Sequence, residues 1–314
     1  MNLSSYIKSF LILRNMGNTD FIELSLLCSA IRGRYALEEK LITIYKSYLS
    51  ELIDEYKELP FCSGEKGSEI IWTCWWQGED AMPPVAKVCI NRMRYLNPSK
   101  TLIVLTKGNI NKYLDIDPEL QNLVRNGNLS ITFLSDYIRS GILAQYGGVW
   151  IDSTVYFTKP INETFFSNYL YTNRQPEDSA ISKENIISKA QWSSFYIGTG
   201  YKDVVLFSFL NKAFRKLILD YRYNPYYFSL DLIIRCAYDH LPCIKPVMEK
   251  ITYSSPDIHI MASLWDKNFD RSQIDKIFKS NEVLKLNTHW RCPPIKGNTY
   301  YDFFSSEEAV TYTE

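Results

Sequence analysis

The hydrophobic pattern of the chain changes near residue 62. Before this point, apolar residues recur every three or four positions with charged residues between them, which is the spacing of amphipathic helices. The clearest positions are Leu37, Leu41, Ile44, Tyr45, Leu49 and Leu52. Residues 60–67 then contain a proline and two glycines, which predicts a loop. We therefore expect a helical N-terminal extension over residues 1–62 and a second domain over residues 63–314.

The second domain alternates short apolar runs with helical stretches. The runs that predict strands are residues 69–75, 101–106, 130–134 and 149–151, with a further strand at 283–286. The stretches that predict helices are residues 84–95, segments within 109–126, and 135–146, 200–220 and 226–252. Strands that alternate with crossover helices predict an α/β fold with a mainly parallel sheet flanked by helices.

Three charged residues lie where such a sheet binds its ligands, beyond the carboxyl ends of the strands. Ser135 is a candidate N-cap, so Asp136 and Arg139 are expected in the first turn of a helix, on one face. Gly147 and Gly148 end that helix and allow a close approach of backbone to ligand.

Asp152 follows the next strand and could hold a divalent cation that bridges phosphate oxygens. Each feature also has a purely structural interpretation. Asp136 could complement the helix dipole, the glycines could only end a helix, and Asp152 could be a turn residue.

Taken together, these motifs resemble the core of DXD-containing glycosyltransferases, in particular the capsular polysaccharide synthesis family and its relatives in glycosyltransferase family 32. The motifs that carry the resemblance are Trp75-Trp76-Gln77-Gly78, Asp136-Tyr137-Ile138-Arg139 and Gly147-Gly148-Val149-Trp150-Ile151-Asp152-Ser153-Thr154. The similarity covers about residues 68–160.

The resemblance implies a GT-A-like fold, a nucleotide-sugar donor, and Mn²⁺ or Mg²⁺ as cofactor. By position, Asp136 and Arg139 would hold hydroxyls of the donor sugar, and Asp152 would meet the metal or the ribose. We expect Asp136, Arg139 and Asp152 to be catalytic, and Asp152 and His289 to bind the metal. The expected substrate-binding residues are Trp75, Trp76, Gln77, Gly78, Gly147, Gly148, Thr154 and Trp290.

One position departs from the family pattern, because the second DXD carboxylate is replaced by Thr154. Either the metal is held by Asp152 together with diphosphate, water and a C-terminal group, or the dependence on metal is reduced. His289 is equally consistent with an ordinary surface histidine beside a packing tryptophan. Lys285, Arg291 and Lys296 could neutralise a diphosphate, although such clusters are usually only solvated.

Composition narrows the class of partner. Lys plus Arg and Asp plus Glu balance at 35 each, which does not favour nucleic acid as a partner. The 7 cysteines form no CxxC pair and no zinc spacing, which favours a reducing, cytoplasmic compartment. We see no signal peptide and no apolar window of the ~20 residues that a spanning helix needs, so we expect any membrane contact to be peripheral.

The resemblance implies transfer of a hexose from UDP-galactose or UDP-glucose to a glycan acceptor in capsular or surface polysaccharide synthesis, with retention at the anomeric carbon. A lipid-linked oligosaccharide is the expected acceptor. Two alternatives stay open at this point. Thr154 is compatible with a non-catalytic carbohydrate-binding or assembly protein on a transferase fold. The core pattern is also compatible with a toxin-like enzyme that glycosylates a protein.

Overall fold

The computed structural model describes residues 3–17, 33–176, 187–288 and 297–313. The strands are β1 (Ile71–Cys74), β2 (Leu102–Leu105), β3 (Gly148–Ile151), β4 (Val155–Phe157), β5 (Tyr171–Thr172), β6 (Tyr196–Thr199) and β7 (Val283–Lys285). The helices are α1 (Leu3–Gly17), α2 (Gly33–Tyr48), α3 (Ser50–Tyr56), α4 (Pro84–Leu96), α5 (Pro118–Arg125), α6 (Ile131–Tyr146), α7 (Val205–Tyr221), α8 (Ser229–His240), α9 (Ile244–Met248), α10 (Met261–Leu264), α11 (Arg271–Ser280), α12 (Tyr300–Phe304) and α13 (Glu308–Thr311).

The main sheet has the strand order β2-β1-β3-β6-β5. Strand β1 pairs in parallel with both β2 and β3, whereas β6 is antiparallel to β3 and β5. Four of these five strands therefore run in the same direction. This arrangement confirms the expected α/β class with a mainly parallel sheet.

Alternate residues of the strands point to opposite faces of the sheet, and both faces are buried. Ile71 and Val149 pack in one apolar cluster with Ile90 of α4. Their neighbours Trp72 and Trp150 pack in a second cluster that also contains α6, α7 and α8. Helices on both faces explain why the strands read as continuous apolar runs.

A second, two-stranded sheet extends from the end of β3. Strands β4 and β7 pair antiparallel, with Val155 opposite Lys285. The strand predicted at residues 283–286 is thus confirmed as β7. Because Val155 lies three residues beyond Asp152, this pairing brings the end of β7 next to the carboxyl end of β3.

The strand predicted at residues 130–134 is wrong, since this stretch is the first part of α6. Ser130 is the N-cap, and its hydroxyl accepts a hydrogen bond from the backbone N–H of Phe133. Phe133 and Leu134 are buried on the same side of the helix as later core residues. The N-cap predicted at Ser135 is therefore also wrong, and Asp136 and Arg139 lie well inside the helix rather than at its first turn.

The N-terminal helices pack on the helical layer that covers the sheet. Tyr45 of α2 is fully buried and lies 2.6 Å, oxygen to oxygen, from Ser229 of α8. The division of the chain at residues 62 and 63 stays a prediction.

Within the described residues, the structure contains no helix that is long and apolar enough to cross a membrane.

The buried guanidinium of Arg92 anchors the C-terminal helices to α4. It donates to the backbone oxygens of Val310 and Tyr312 at 3.0 and 2.8 Å, and to that of Phe157 at 3.0 Å. A buried cation without such acceptors would be strongly unfavourable. Arg92 therefore connects β4 and the C-terminal segment around α13 to helix α4.

Substitution of Arg92 by methionine should lower the free energy of unfolding by roughly 3 kcal/mol, because several buried carbonyls lose their donor. Urea denaturation of the variant and the wild type measures this difference. Arg94→Met is the matched control on the same helix. Arg94 is 42% exposed and pairs with Glu79 at the surface, so its loss should cost less than about 1 kcal/mol. Equal effects of the two substitutions would contradict the anchoring role of Arg92.

Candidate functional site

Three chain segments meet at the carboxyl edge of the parallel strands. The segment after β1 contributes Trp75 and Trp76, and the segment after β3 contributes Asp152 and Thr154. The first half of α6, from Ile131 to Arg139, lies beside both segments. Together they surround a cavity of about 230 Å³, which we call the edge cavity. Its lining residues are Cys74, Trp75, Trp76, Gln77, Ile131, Thr132, Ser135, Asp136, Arg139, Trp150, Asp152, Ser153 and Thr154.

Arg139 connects the two carboxylates that the sequence singled out. Its Nη2 lies 3.1 Å from Asp152 Oδ1 and 3.4 Å from Asp136 Oδ1. Its Nη1 donates to the backbone oxygen of Ser194 at 2.6 Å, and its guanidinium lies over the Trp150 ring. The structure thus brings Asp136, Arg139 and Asp152 together at one cavity, while their catalytic roles stay predictions.

Among Asp136, Arg139 and Asp152, the carboxylate of Asp152 accepts the most hydrogen bonds. Its Oδ1 accepts from Arg139 and also from the Trp150 indole at 3.0 Å. Its Oδ2 accepts from Lys285 Nζ at 3.0 Å, and the same ammonium donates to Thr154 Oγ1 at 2.8 Å. Lys285 is therefore part of the site, although the residue lies 133 positions away in sequence.

The acid–base behaviour of the two carboxylates differs because their partners differ. Burial raises the pKa of Asp136 to about 7, and the Arg139 charge offsets this only in part. Burial would also raise the pKa of Asp152, but Lys285 and Arg139 outweigh it and hold that pKa below its ordinary value. Asp152 is consequently the fixed negative charge of the cluster.

A second cavity of about 300 Å³ adjoins the cluster, and we call it the side cavity. Lys285 lines it together with the aromatic residues Trp192 and Tyr227 and the carboxylate of Asp231. Asp231 accepts from the Trp192 indole at 2.9 Å, and burial raises its pKa to about 6. The sequence analysis missed Asp231, because nothing in the local pattern of α8 distinguishes it from a surface carboxylate.

Two buried donors at the edge cavity have no hydrogen-bond partner within the described part of the chain. They are Nε of Arg139 and the indole nitrogen of Trp75. Buried donors without partners are unusual, since most such groups are satisfied by protein or ligand atoms. Both atoms have almost no accessible surface, so a ligand oxygen in the cavity would reach them only if these side chains moved.

Some of the expected substrate-binding residues do not reach the edge cavity. Gly147 and Gly148 lie at the opposite end of β3, where a Cβ on Gly148 would come within 2.5 Å of the Ile70 oxygen. Both have positive φ, at +67° and +84°, so they reverse the chain and allow close backbone packing. Gly78 follows the cavity-lining segment but does not line the cavity. The expectation that these glycines contact substrate finds no support in their positions.

The expected metal ligand His289 and the expected lid residue Trp290 lie outside the described residues. Over the described ranges, no three His, Cys, Asp or Glu side chains come together in a way that could hold a metal ion. The divalent cation expected from the resemblance stays a prediction.

The comparisons with known proteins bear on the family of the chain. Residues 31–304 match the family described as "Capsular polysaccharide synthesis protein". The chain belongs to this family. No curated protein matches the sequence of this chain. Among solved structures, it is similar to the PaToxG glycosyltransferase at 14% identity and a TM-score of 0.40, over 80% of this chain and 99% of that one. It is also similar to the galactosyltransferase LgtC, solved with donor and acceptor sugar analogues, at 10% identity and a TM-score of 0.41, over 78% and 97% of the two chains.

The raised pKa of Asp136 predicts a specific effect of pH on stability. Its pKa in the folded state lies above that in the unfolded state, so the folded protein holds a proton between about pH 4 and pH 7 that the unfolded protein has lost. The contribution of Asp136 to the free energy of unfolding should therefore fall as pH rises through this window. Asp136→Asn removes the titration, so it should stabilise the protein more at pH 8 than at pH 5, by on the order of 2 kcal/mol.

Urea denaturation at both pH values measures this difference. Asp266→Asn is the control, because this carboxylate is 62% exposed at the surface. A stability difference between Asp136→Asn and wild type that does not change with pH would show that the carboxylate is not buried as described.

Proposed function

We propose that the protein is a glycosyltransferase that moves a hexose from a nucleotide sugar to a glycan acceptor in the synthesis of a capsular or other surface polysaccharide. The observation that carries this proposal is the cluster of Arg139, Asp152 and Lys285 where two cavities adjoin. Membership in the capsular polysaccharide synthesis family supports the biological setting.

The edge cavity suits the nucleotide sugar. Trp75 and Trp76 line this cavity and offer aromatic faces for a nucleobase. Arg139 and Lys285 can neutralise the diphosphate. UDP-galactose and UDP-glucose are the donors we expect, with Asp136 and Arg139 holding hydroxyls of the sugar.

The reaction is displacement at the anomeric carbon. The bond from this carbon to the diphosphate oxygen breaks, and a bond to the acceptor oxygen forms. Negative charge develops on the departing diphosphate, and the fixed cations of Arg139 and Lys285 stabilise it in the transition state. Their ion pairs with Asp152 hold both cations in place before the reaction, so little reorganisation is needed.

We propose retention of configuration, with attack from the face that the diphosphate leaves. The acceptor proton then passes to the departing phosphate oxygen. Asp136 orients the sugar rather than acting as a nucleophile, because its raised pKa keeps much of it protonated near neutral pH.

The side cavity suits the acceptor. Trp192 and Tyr227 provide aromatic surface for a sugar ring, and Asp231 provides a carboxylate for an acceptor hydroxyl. A lipid-linked oligosaccharide is the acceptor that we expect, which implies peripheral contact with a membrane.

A panel of nucleotide sugars, assayed with lipid-linked glycan and with protein acceptors, tests the proposal. Release of UDP coupled to glycan extension is the expected result. A folded protein without turnover of any donor, with or without Mn²⁺, would favour a carbohydrate-binding or assembly role instead. Transfer to protein acceptors alone would favour the toxin-like alternative.

Replacement of Asp152 by asparagine should lower kcat by about 100-fold or more, because Arg139 and Lys285 lose the charge that positions them. Arg139→Ala should reduce donor use to a similar degree. Steady-state kinetics measure both effects, and circular dichroism checks that the variants fold. Asp266→Asn, at the surface, is the control and should behave as wild type. Wild-type rates in Asp152→Asn would contradict the assigned site.

Asp231→Asn should raise the KM for the acceptor by roughly 10-fold or more, since a hydrogen bond to a charged group is lost. The Kd for UDP should change by less than about twofold, because Asp231 lines the side cavity and not the edge cavity. Acceptor titrations and UDP binding measure the two quantities. Weaker UDP binding with an unchanged KM for the acceptor would show that Asp231 contributes to the donor site instead.

A further inference from the structure

The ammonium of Lys285 lies between the two side chains at the DXD positions. Its Nζ is 3.0 Å from Asp152 Oδ2 and 2.8 Å from Thr154 Oγ1. These are the side chains that the sequence pattern assigns to a divalent cation. In this chain, a side-chain cation is already bonded to both of them.

The described residues at this position do not fit a divalent cation. Mg²⁺ requires about six oxygen ligands in near-octahedral geometry, usually including one or two carboxylates. Here one of the two positions is Thr154, a neutral hydroxyl, and both oxygens of Asp152 already accept hydrogen bonds from Arg139, Trp150 and Lys285. A dication at Asp152 and Thr154 would also lie against the lysine ammonium and be repelled by it.

The charges at the DXD positions balance without a metal. Two carboxylates and a dication sum to zero. Asp152, Thr154 and the Lys285 ammonium also sum to zero, because one carboxylate and one positive charge are lost together. The substitution at Thr154 and the placement of Lys285 therefore compensate each other.

The backbone fixes Lys285 in this position. It is paired opposite Val155 in the β4–β7 ladder, and its N–H donates to the Ile258 oxygen at 2.8 Å. Its ammonium also lies 4.9 Å from the centre of the Phe195 ring, and its side chain is only 22% exposed. An ammonium has three N–H donors, and Asp152 and Thr154 are its two hydrogen-bond acceptors among the described residues. The third donor can bind a phosphate oxygen.

We propose that Lys285 supplies the positive charge for the leaving diphosphate that the family resemblance assigns to a metal ion, so that the protein binds nucleotide and transfers sugar without a divalent cation. This inference rests on the proposed glycosyl transfer. Lys285 lines the side cavity while it contacts two residues of the edge cavity. Its ammonium is therefore placed where a diphosphate in the edge cavity would face an acceptor in the side cavity.

The experiment measures UDP affinity by calorimetry, and turnover of the active donor, in EDTA and in Mn²⁺. For the wild type, the Kd for UDP and kcat should each differ by less than about threefold between the two conditions. Lys285→Met removes the charge and keeps an unbranched side chain that is one atom shorter. It should weaken UDP binding by at least about tenfold, with or without Mn²⁺.

Lys267→Met is the matched control, because Lys267 is a 63% exposed lysine that pairs with Asp266 at the surface. Its UDP affinity and turnover should equal those of the wild type. The EDTA measurement uses the wild-type protein only, so it tests the proposal even where Lys285→Met does not fold.

The outcomes separate the two proposals. Turnover and UDP binding that occur in Mn²⁺ and disappear in EDTA would overturn the role of Lys285 while leaving glycosyl transfer intact. A folded Lys285→Met variant with wild-type UDP affinity would overturn it as well. Absence of turnover of every nucleotide sugar in the panel, in both conditions, would overturn glycosyl transfer itself, and this inference with it.

Discussion

The carboxylate of Asp152 joins three parts of the fold that are far apart in sequence. It follows β3, pairs with Arg139 from the middle of α6, and pairs with Lys285 from the end of β7. A carboxylate that is mostly withdrawn from water needs such partners, and each cation in turn needs a carboxylate. The three groups therefore hold one another in place, in addition to the backbone pairing that positions Lys285. The edge cavity and the side cavity adjoin this cluster, so the geometry of both depends on it.

The cluster of Arg139, Asp152 and Lys285 contains two cations and one carboxylate. Arg139 and Lys285 face Asp152 and hold its pKa below the ordinary value. Burial raises the pKa of Asp136 to about 7 and that of Asp231 to about 6, so Asp136 is only partly ionised near neutral pH, whereas Asp231 is mostly ionised. An electrostatic environment of this kind suits a diphosphate leaving group.

In helix α6, packing against the core overrides the β-strand propensity of the first residues. Residues 130–134 are rich in β-branched and aromatic side chains, which favours a strand when the stretch is considered alone. Phe133 and Leu134 nevertheless continue the helical spacing of Tyr137 and Ile138, and all four are buried. Packing of this face against the core favours a helix over Ile131–Tyr146, with Ser130 as its N-cap. As a result, Arg139 lies deep enough in the helix to reach Ser194 and Asp152.

Several features followed from the sequence by itself, because they depend on residues only a few positions apart. These are the apolar runs of β1, β2 and β3, the glycine end of α6, the spacing of Asp136 and Arg139 on one helix face, and the place of Asp152 after a strand. Only the tertiary structure decided that Lys285 meets Asp152, that Asp231 lines the side cavity, and that Gly147 and Gly148 lie away from the site. Such contacts depend on strand pairing and helix packing between distant segments, which no local pattern of side chains encodes.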